Sequence, residues 1–514
     1  MGLSTAIDLT VDHQETVVAL IQKHLPNTTA WAYGSRVKWT SHPNSDLDIV
    51  IFAPPERLRQ VSELRDAFSE SNLPFRVDLF VWDAVPDTFR KNIENNHMVL
   101  VESPNMTALK DIVDLRISSV DNKINDDEYS VAICNYIDVY KNSFIQPDIQ
   151  FMGGTATEVE ISKFTLKQED VIITKDSEQY DDIGVPALMR HEIDNLVCGY
   201  RLAILRPDTS KVYGSYLYYA LNTVEARDQF HSYANGVKKF GLRKADIGRL
   251  EIPLPDISRQ RTVADMLVVL DDNIDLNRRM NHTLEEMAAL LYREWFVYFR
   301  FPGHEDVGLV DSDLGPIPEG WEVAPLIEMC SFVMGQSPRS EHYNDIGEGL
   351  PFHQGVTGFG PRYPSHTKWT TVDKRVAEPG DILFSVRAPV GRINLAPDRL
   401  VVGRGLSAIR DSDGHQNFLL MQLKDRFAVE DSTGGGTVFK AVTKRDMESI
   451  MLLKPMTSLV KKFEAAVAPL EDLIANLSRQ SVLLREARDL LLPRLISGEL
   501  DVSELDLELE ASVV

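Results

Sequence analysis

The chain has 514 residues, of which 43% are hydrophobic and 25% charged, and its formal net charge is −23. One hydrophobic core does not accommodate this length, so we expect about three or four domains. The sequence has neither an apolar stretch of about 18 residues nor a signal-peptide pattern at its start, so we expect a cytoplasmic protein without a membrane span. Cys134, Cys198 and Cys330 have no metal-ligand spacing. Burial in a reducing compartment is their expected role.

The negative charge at first opposes a nucleic-acid partner, because neutralisation of phosphates supplies most non-specific affinity. Its distribution weakens that objection. Residues 321–455 contain 16 Lys and Arg against 16 Asp and Glu, whereas the chain after Ser497 carries acids and no Lys or Arg. A neutral domain can still concentrate its cations in one groove, so a nucleic-acid partner is not excluded.

Residues 1–104 read as a separate α/β unit with a helix near residues 15–24 and strands at 29–33, 47–52 and 75–81. Strand alternation places Asp46 and Asp48 on one face, where two carboxylates can hold Mg²⁺. Asp78 on the next strand would complete a site for two metal ions. The Gly34-Ser35 turn would let backbone N–H groups approach a triphosphate. Such a site supports nucleotidyl transfer, and ordinary surface carboxylates are the alternative.

The segments "WAYGSRVKWTSHPNSDLDIVIF" and "RVDLFVW" resemble the minimal nucleotidyltransferase domain of the DNA polymerase β superfamily, over about residues 15–103. The resemblance implies Mg²⁺ and a nucleoside triphosphate as cofactors. It assigns catalysis and metal binding to Asp46, Asp48 and Asp78, and nucleotide binding to Gly34 and Ser35. One position departs from the family: Trp39 stands where members often have glycine. A bulky ring there would narrow the nucleotide site or inactivate it.

The rest of the chain repeats itself after 200 residues: Lys244 aligns with Lys444, Asp246 with Asp446 and Pro255 with Pro455. So long a period indicates duplicated domains rather than a solenoid. Each copy contains an acid-led strand pattern, which begins at Asp170 in the first and at Asp381 in the second. Each then has a glycine-containing strand, "GYRLAILR" in the first copy and "GRGLSAIR" in the second.

Each copy ends in a predicted long helix with apolar residues at alternating steps of three and four, the spacing of a coiled-coil seam. The first, over about residues 257–297, would be roughly 60 Å long. Asn277 and Asn281 interrupt its seam and are expected to set the register. Pairing of the two helices is the favoured interpretation. Packing of each helix on its own domain is the alternative.

This order of domains and helices, with "GPIPEGWEV" between the copies and "LLPRLISGEL" near the end, resembles the DNA specificity subunit of type I restriction-modification systems over about residues 106–500. The resemblance implies a non-catalytic reader of double-stranded DNA in which each strand-rich domain recognises half of a bipartite, asymmetric target. Methyltransferase subunits would dock on the paired helices, and a restriction and translocase subunit would join outside. A phosphate-binding loop and a DNA-methylation motif are both missing from the sequence, as expected of such a subunit.

The predicted fold is therefore multidomain, α/β and α+β, with the two long helices paired as an antiparallel coiled coil. The predicted divisions are a nucleotidyltransferase-like domain (1–104), recognition domain 1 (105–255), spacer helix 1 (256–300), a linker (301–320), recognition domain 2 (321–455), spacer helix 2 (456–498) and an acidic tail (499–514). The competing hypotheses are a nucleotidyltransferase that modifies a protein or nucleic acid and is targeted by the readers, and a scaffold whose readers no longer bind DNA.

To read bases, long side chains that carry hydrogen-bond donors must reach the base edges in the groove. Other cations hold the phosphates. Candidates are the cations in turns beside the repeated strands, namely Lys175, Lys238, Lys239 and Arg243 in the first copy and Arg387, Arg392, Arg404 and Lys440 in the second. A solvated surface cation is the alternative for each. Lys244 and Lys444 are interpreted as structural, because base-reading residues should differ between two copies that read different sequences.

Overall fold

The computed structural model describes residues 7–25, 28–42, 45–101, 105–236, 238–432, 441–500 and 502. The chain forms two compact units: Met1–Asp272 with Arg485–Val514, and Asn273–Leu484. The division between the units falls inside both long helices. The predicted fold class is confirmed, because a mixed N-terminal sheet is followed by two strand-rich domains and two long helices in contact.

The N-terminal domain is a four-stranded sheet with helices on both faces. Its elements are α1 (Val11–His24), β1 (Ala30–Tyr33), β2 (Leu47–Ile51), α2 (Leu58–Glu70), β3 (Val77–Val81), α3 (Asp87–Asn95) and β4 (His97–Val101). The strand order is β3-β2-β1-β4, with β2 and β3 parallel and the other pairs antiparallel. Ile49 and Ile51 pack with Ile21 and Leu64 on one face, whereas Val50 on the other packs near Ile93. This second face carries the polar residues discussed below.

The first strand-rich domain contains a five-stranded and a three-stranded sheet, ordered β6-β14-β10-β12-β8 and β13-β7-β9. Its elements are β5 (Met106–Ala108), β6 (Val113–Ile117), β7 (Tyr129–Cys134), α4 (Tyr136–Lys141), β8 (Phe144–Ile145), β9 (Met152–Ala156), α5 (Glu158–Phe164), β10 (Val171–Thr174), β11 (Asp176–Ser177), β12 (Pro186–Met189), β13 (Leu196–Cys198), β14 (Leu202–Pro207), α6 (Gly214–Leu221), α7 (Val224–Tyr233), β15 (Phe240–Gly241), α8 (Lys244–Arg249) and β16 (Glu251–Pro253). The first long helix follows as α9 (Ile257–Tyr292) and ends in one π-helical turn.

The second strand-rich domain is built on sheets ordered β20-β28-β25-β26 and β21-β23-β22-β27-β24. Its elements, after the short pair β17 (Leu309–Val310) and β18 (Ile317–Pro318), are β19 (Glu322–Pro325), α10 (Leu326–Met329), β20 (Cys330–Met334), β21 (Tyr343–Asn344), β22 (Leu350–His353), β23 (Trp369–Thr370), β24 (Val376–Ala377), β25 (Ile382–Ser385), β26 (Ile393–Leu395), β27 (Leu400–Val402), β28 (Leu406–Asp411), α11 (Gln416–Ser432), α12 (Lys444–Glu448), β29 (Met451–Lys454) and the second long helix, α13 (Thr457–Ile496).

The two copies share one internal framework, and an acid–arginine pair marks it in each. Asp170 precedes β10 and accepts two hydrogen bonds from Arg206 on β14, at 2.7 and 2.8 Å. Asp381 precedes β25 and accepts the corresponding bond from Arg410 on β28, at 2.6 Å. The acid-led patterns therefore exist because a buried carboxylate needs a charged partner and hydrogen bonds. The cysteines are buried and free, as expected.

Segments of the two long helices run antiparallel in each unit. In the first unit, Asp271 of α9 pairs with Arg488 of α13 at 2.6 Å. In the second unit, Asn277 donates to Gln480 at 3.2 Å and Asn281 donates to Ser478 at 3.1 Å. The predicted helix pairing is confirmed. The polar interruptions of the first seam meet polar groups of the second helix, which disfavours a shift in register.

A buried arginine joins the second strand-rich domain to both helices of its unit. Arg362 is 8% exposed, donates to Glu285 of α9 at 2.9 Å and forms an ion pair with Glu471 of α13. Removing one partner of a buried ion pair leaves an uncompensated buried charge, which strongly destabilises the folded state.

We therefore expect Arg362→Ala to lower the free energy of unfolding of this unit by about 3–5 kcal/mol. Chemical denaturation of the full chain measures it. Arg339→Ala is the matched control, because the side chain of Arg339 is 85% exposed in its pair with Glu341. Such a surface pair contributes at most about 1 kcal/mol. Equal losses in the two variants would contradict the anchoring role of Arg362.

Candidate functional site

Three polar side chains form a row across the N-terminal sheet. Tyr33 of β1 is the cross-strand partner of Asp48 on β2, and Asp48 is in register with Asp78 on β3. Residues directly opposite each other project from the same face of a sheet. Asp46 lies two residues before Asp48, just outside the strand, and is exposed. The sheet thus brings together the three predicted carboxylates and adds Tyr33, which the sequence had not indicated.

The electrostatics of this row are unfavourable for anions. Burial raises the pKa of Asp48, and the charges of Asp78 and Asp46 raise it further. Burial, followed by the charges of Asp48 and Asp78, raises the pKa of Tyr33 to about 12. Arg76 pairs with Asp78 at 2.9 Å, but its side chain is 77% exposed. The carboxylates therefore repel one another in a partly buried setting, which a bound cation would relieve.

In the part of the chain that the structure describes, no group of three or more His, Cys, Asp or Glu side chains is arranged to hold a metal ion. Hard carboxylate oxygens are nevertheless the ligands that Mg²⁺ prefers. The mutual repulsion at Asp48 is the feature that fits a cation here. The assignment of Asp46, Asp48 and Asp78 as metal ligands remains a prediction.

Gly34 lets the following turn approach the central carboxylate. Its φ is +85°, and a Cβ placed on it would lie 2.3 Å from Oδ2 of Asp48. Ser35, the other predicted nucleotide-binding residue, accepts a hydrogen bond from the Thr40 N–H at 3.0 Å and so closes the turn. Trp39 has φ +55°, in the left-handed region that favours glycine. The residue is 57% exposed, so much of its bulk faces solvent.

Arg36 is a positioning residue that sequence reasoning missed. It is 6% exposed and donates from Nη2 and Nε to the carbonyl of Ser45, at 2.7 and 3.1 Å. Its Nη1 donates to the carbonyl of Asp8 at 2.9 Å, and its guanidinium lies over the ring of Phe75. Arg36 thereby ties the Gly34-Ser35 turn to the residue preceding Asp46. The only sequence signal for Arg36 was its position two residues after Gly34. Its partners are backbone carbonyls, which no sequence pattern identifies.

The predicted DNA-binding cations of the first copy gather at one edge of the domain. Asp176 and Ser177 of β11 pair with Gly241 and Phe240 of β15, so Lys175 lies beside the strand that Lys238 and Lys239 precede. Arg243 follows the same strand and pairs with Asp246 at 3.5 Å. Lys238, Lys239 and Arg243 are exposed. Lys175 is only 15% exposed and pairs with Asp176, which makes it a poor candidate for phosphate contact.

The second copy shows a corresponding arrangement at the end of β25. The backbone N–H of Ser385 donates to the carbonyl of Arg392 at 2.9 Å, and that of Val386 donates to the carbonyl of Gly405 at 2.9 Å. Arg387, Arg392 and Arg404 are therefore brought to the same edge, and all three are exposed. Lys440 lies outside the described residues. Contact of any of these cations with DNA remains a prediction.

Comparison with known proteins agrees with these features. Residues 15–105 match the polymerase β nucleotidyltransferase family, and residues 105–286 match the type I restriction modification DNA specificity domain. A protein of Methanocaldococcus jannaschii assigned as the type I restriction enzyme MjaX specificity subunit is 31% identical over 405 residues, which cover 77% of this chain and 93% of that protein. The chain belongs to the specificity subunits of type I restriction-modification systems. It is a DNA specificity subunit with an N-terminal nucleotidyltransferase domain.

Two other proteins are also similar to parts of this specificity subunit. A Haemophilus influenzae protein assigned as the protein adenylyltransferase MntA is 37% identical over 97 residues, or 19% of this chain and 85% of that protein. The crystal structure of a type I S subunit from M. genitalium is 16% identical, covers 77% of this chain and 97% of its own, and gives a TM-score of 0.48. Within the described ranges of the specificity subunit, no helix has both the length and the apolarity to cross a membrane.

The repulsion at Asp48 predicts that this carboxylate lowers stability near neutral pH. Because folding raises its pKa, the stability present below the unfolded-state pKa of about 4 is lost as pH rises through the folded-state value. We expect Asp48→Asn to slow hydrogen–deuterium exchange in residues 47–51 at pH 7, with the advantage disappearing near pH 3. Asp46→Asn, which changes an exposed carboxylate, is the control and should have a smaller effect. Faster exchange in Asp48→Asn at pH 7 would contradict the prediction.

Proposed function

We propose that each strand-rich domain of this specificity subunit reads one half of a bipartite, asymmetric target in double-stranded DNA, and that the paired helices set the spacing between the halves. The observation that carries the proposal is that the two domains share an internal framework but differ in the residues at the edge beside it. The Asp170–Arg206 and Asp381–Arg410 pairs correspond, whereas the residues at the adjoining edges differ between the copies. Two readers of different sequences require such a division, because direct readout depends on the particular side chains that face the bases.

We further propose that methyltransferase subunits dock on the paired helices, with the restriction and translocase subunit joining outside. An apolar stripe on α9 in the second unit supports docking. Leu276, Met280, Met287 and Leu290 are exposed and recur at helical spacing. Four large apolar side chains on one exposed helical face form the kind of patch that marks a protein interface.

For the N-terminal domain we propose Mg²⁺-dependent nucleotidyl transfer from a nucleoside triphosphate. Asp46, Asp48 and Asp78 would hold the metal, and the turn at Gly34 and Ser35 would face the phosphates. Bound Mg²⁺ would neutralise developing charge on the phosphoryl oxygens. The similarity to the protein assigned as the protein adenylyltransferase MntA favours adenylyl transfer to a protein. Arg36 would hold the turn in place, because its buried guanidinium bonds to backbone on both sides.

The modular-reading proposal predicts the result of a domain exchange. Replacing residues 106–255 with the equivalent domain of another specificity subunit should change one half of the methylated motif and leave the other half unchanged. Genome-wide methylation mapping in cells that also express the partner subunits provides the measurement. Exchange of residues 322–455 is the matched control and should change the opposite half. Altered bases in both halves after a single exchange would refute modular reading.

The nucleotidyltransferase proposal predicts label transfer from ATP labelled on its α-phosphate to a protein of the complex. Asp48→Ala and Asp78→Ala should each reduce transfer at least about 100-fold, since loss of one transition-state contact costs roughly 10²–10³ in rate. Asp66→Ala, at an exposed acid on α2, is the control and should retain transfer. No transfer by the parent complex, or transfer undiminished in Asp48→Ala, would count against the proposal.

A further inference from the structure

An open cleft of about 480 Å³ lies in the first strand-rich domain, where Ser177 of β11 forms part of its lining. Its walls combine hydrogen-bond donors and acceptors with aromatic surface. The lining side chains include Asn122, Tyr136, Glu178, Gln179, Tyr200 and Arg201. The hydroxyl of Tyr136 is bonded to Ser177 and Asp182, so this part of the cleft is already ordered.

Arg201 stands out in this cleft for its backbone and its side chain. Its φ is +70°, a conformation that residues other than glycine rarely adopt and that tends to occur at functional sites. Its buried Nε has no hydrogen-bond partner among the described residues. Its guanidinium lies 5.4 Å from the ring centroid of Tyr200. A buried donor without a partner is costly, so a ligand that accepts its hydrogen bond would compensate.

The duplicated framework identifies the equivalent position in the second domain. Lys175 donates to the carbonyl of Arg201 at 2.8 Å, and Val386 donates to the carbonyl of Gly405 at 2.9 Å. Lys175 and Val386 each lie five residues after the framework acid of their own copy. They also accept equivalent bonds, from Leu242 at 3.0 Å and Val442 at 2.8 Å. Arg201 and Gly405 therefore correspond in position.

Only the first domain has room for a side chain at this position. A Cβ on Gly405 would lie 2.5 Å from the carbonyl oxygen of Gln354, which is a backbone group and cannot move aside cheaply. In the first domain the same position carries an arginine despite the strained φ. A difference between the copies inside an otherwise shared framework is what two readers of different sequences require. The difference points to specificity rather than to folding.

We propose that Arg201 reads a guanine in the half-site of the first domain, through the N7 and O6 acceptors that this base presents in the major groove. Arginine paired with guanine in this way is the commonest specific contact between proteins and DNA. The acidic Glu178 and the amides of Asn122 and Gln179 in the same cleft suit base edges, which offer both donors and acceptors. Phosphate offers acceptors only, so a cleft that also carries carboxylates suits it less.

The proposal rests on DNA reading by this subunit and is tested in the complex. Arg201→Gln should leave the second half of the methylated motif unchanged and relax one guanine position of the first half. Discrimination there should fall about 5- to 150-fold, the range of one bidentate base contact. Methylation mapping in cells that express the partner subunits measures both halves at once.

Two further variants separate base reading from other roles. Arg201→Gly relieves the positive φ, so it should retain the parent melting temperature while losing the same guanine discrimination. Arg249→Gln is the matched control, because Arg249 also lies over a tyrosine ring, at 5.5 Å, but outside the cleft. That control should keep the parent motif.

Three results would overturn the role of Arg201, and a fourth would overturn DNA reading itself. An unchanged motif in Arg201→Gln would overturn the proposal. So would weaker methylation at every site without a relaxed base, since that outcome indicates phosphate contact. A lower melting temperature in Arg201→Gly, with the motif retained, would assign Arg201 a structural role and also overturn it. If the parent complex selects no motif at all, DNA reading itself fails, a result that differs from each of these.

Discussion

Each strand-rich domain completes its hydrophobic core with residues from both long helices, and this constraint shapes the rest of the molecule. In the first unit, Val263 and Leu267 of α9 and Leu492 and Leu495 of α13 belong to the same core as the sheet of the first domain. In the second unit, Tyr292 of α9 and Phe463 of α13 pack together with Phe418 and Trp321. Such shared cores tolerate few volume changes. The gapless 200-residue register of the helices follows from this double requirement.

The strand-rich domains are under a different constraint. Their frameworks coincide in the acid–arginine pairs and in the backbone bonds at Lys175 and Val386. At the edge beyond these bonds, one copy carries a strained arginine and the other a glycine packed against backbone. A protein that reads two different half-sites needs a shared framework and different side chains at the edge beside it. Both are present within a few residues of each other.

The N-terminal domain contains an electrostatic repulsion between carboxylates of a kind that is typical of functional sites. Tyr33, Asp48 and Asp78 occupy one row of a half-buried sheet face. Burial and the charges of Asp48 and Asp78 raise the pKa of Tyr33, and burial and the charges of Asp78 and Asp46 raise the pKa of Asp48. A fold selected only for stability would place apolar residues there, as it does at Val50 on the same strand. Negative charge therefore accumulates opposite the turn at Gly34, an arrangement that a ligand bringing positive charge would stabilise.

The sequence by itself determined the duplication, the long helices and three of the strands of the N-terminal domain, and it pointed to the carboxylates that meet on that sheet, because periodic patterns and spacing are local properties of the chain. It did not predict β4. It also did not predict α2, α3 or α6; the residues of α6 are all buried, so that helix shows no amphipathic period. Only the tertiary structure decided which residues meet. Tyr33 opposite Asp48, Arg36 on the carbonyl of Ser45 and Arg201 at the place of Gly405 all depend on strand register and backbone bonds. These join distant segments, and no local pattern encodes them.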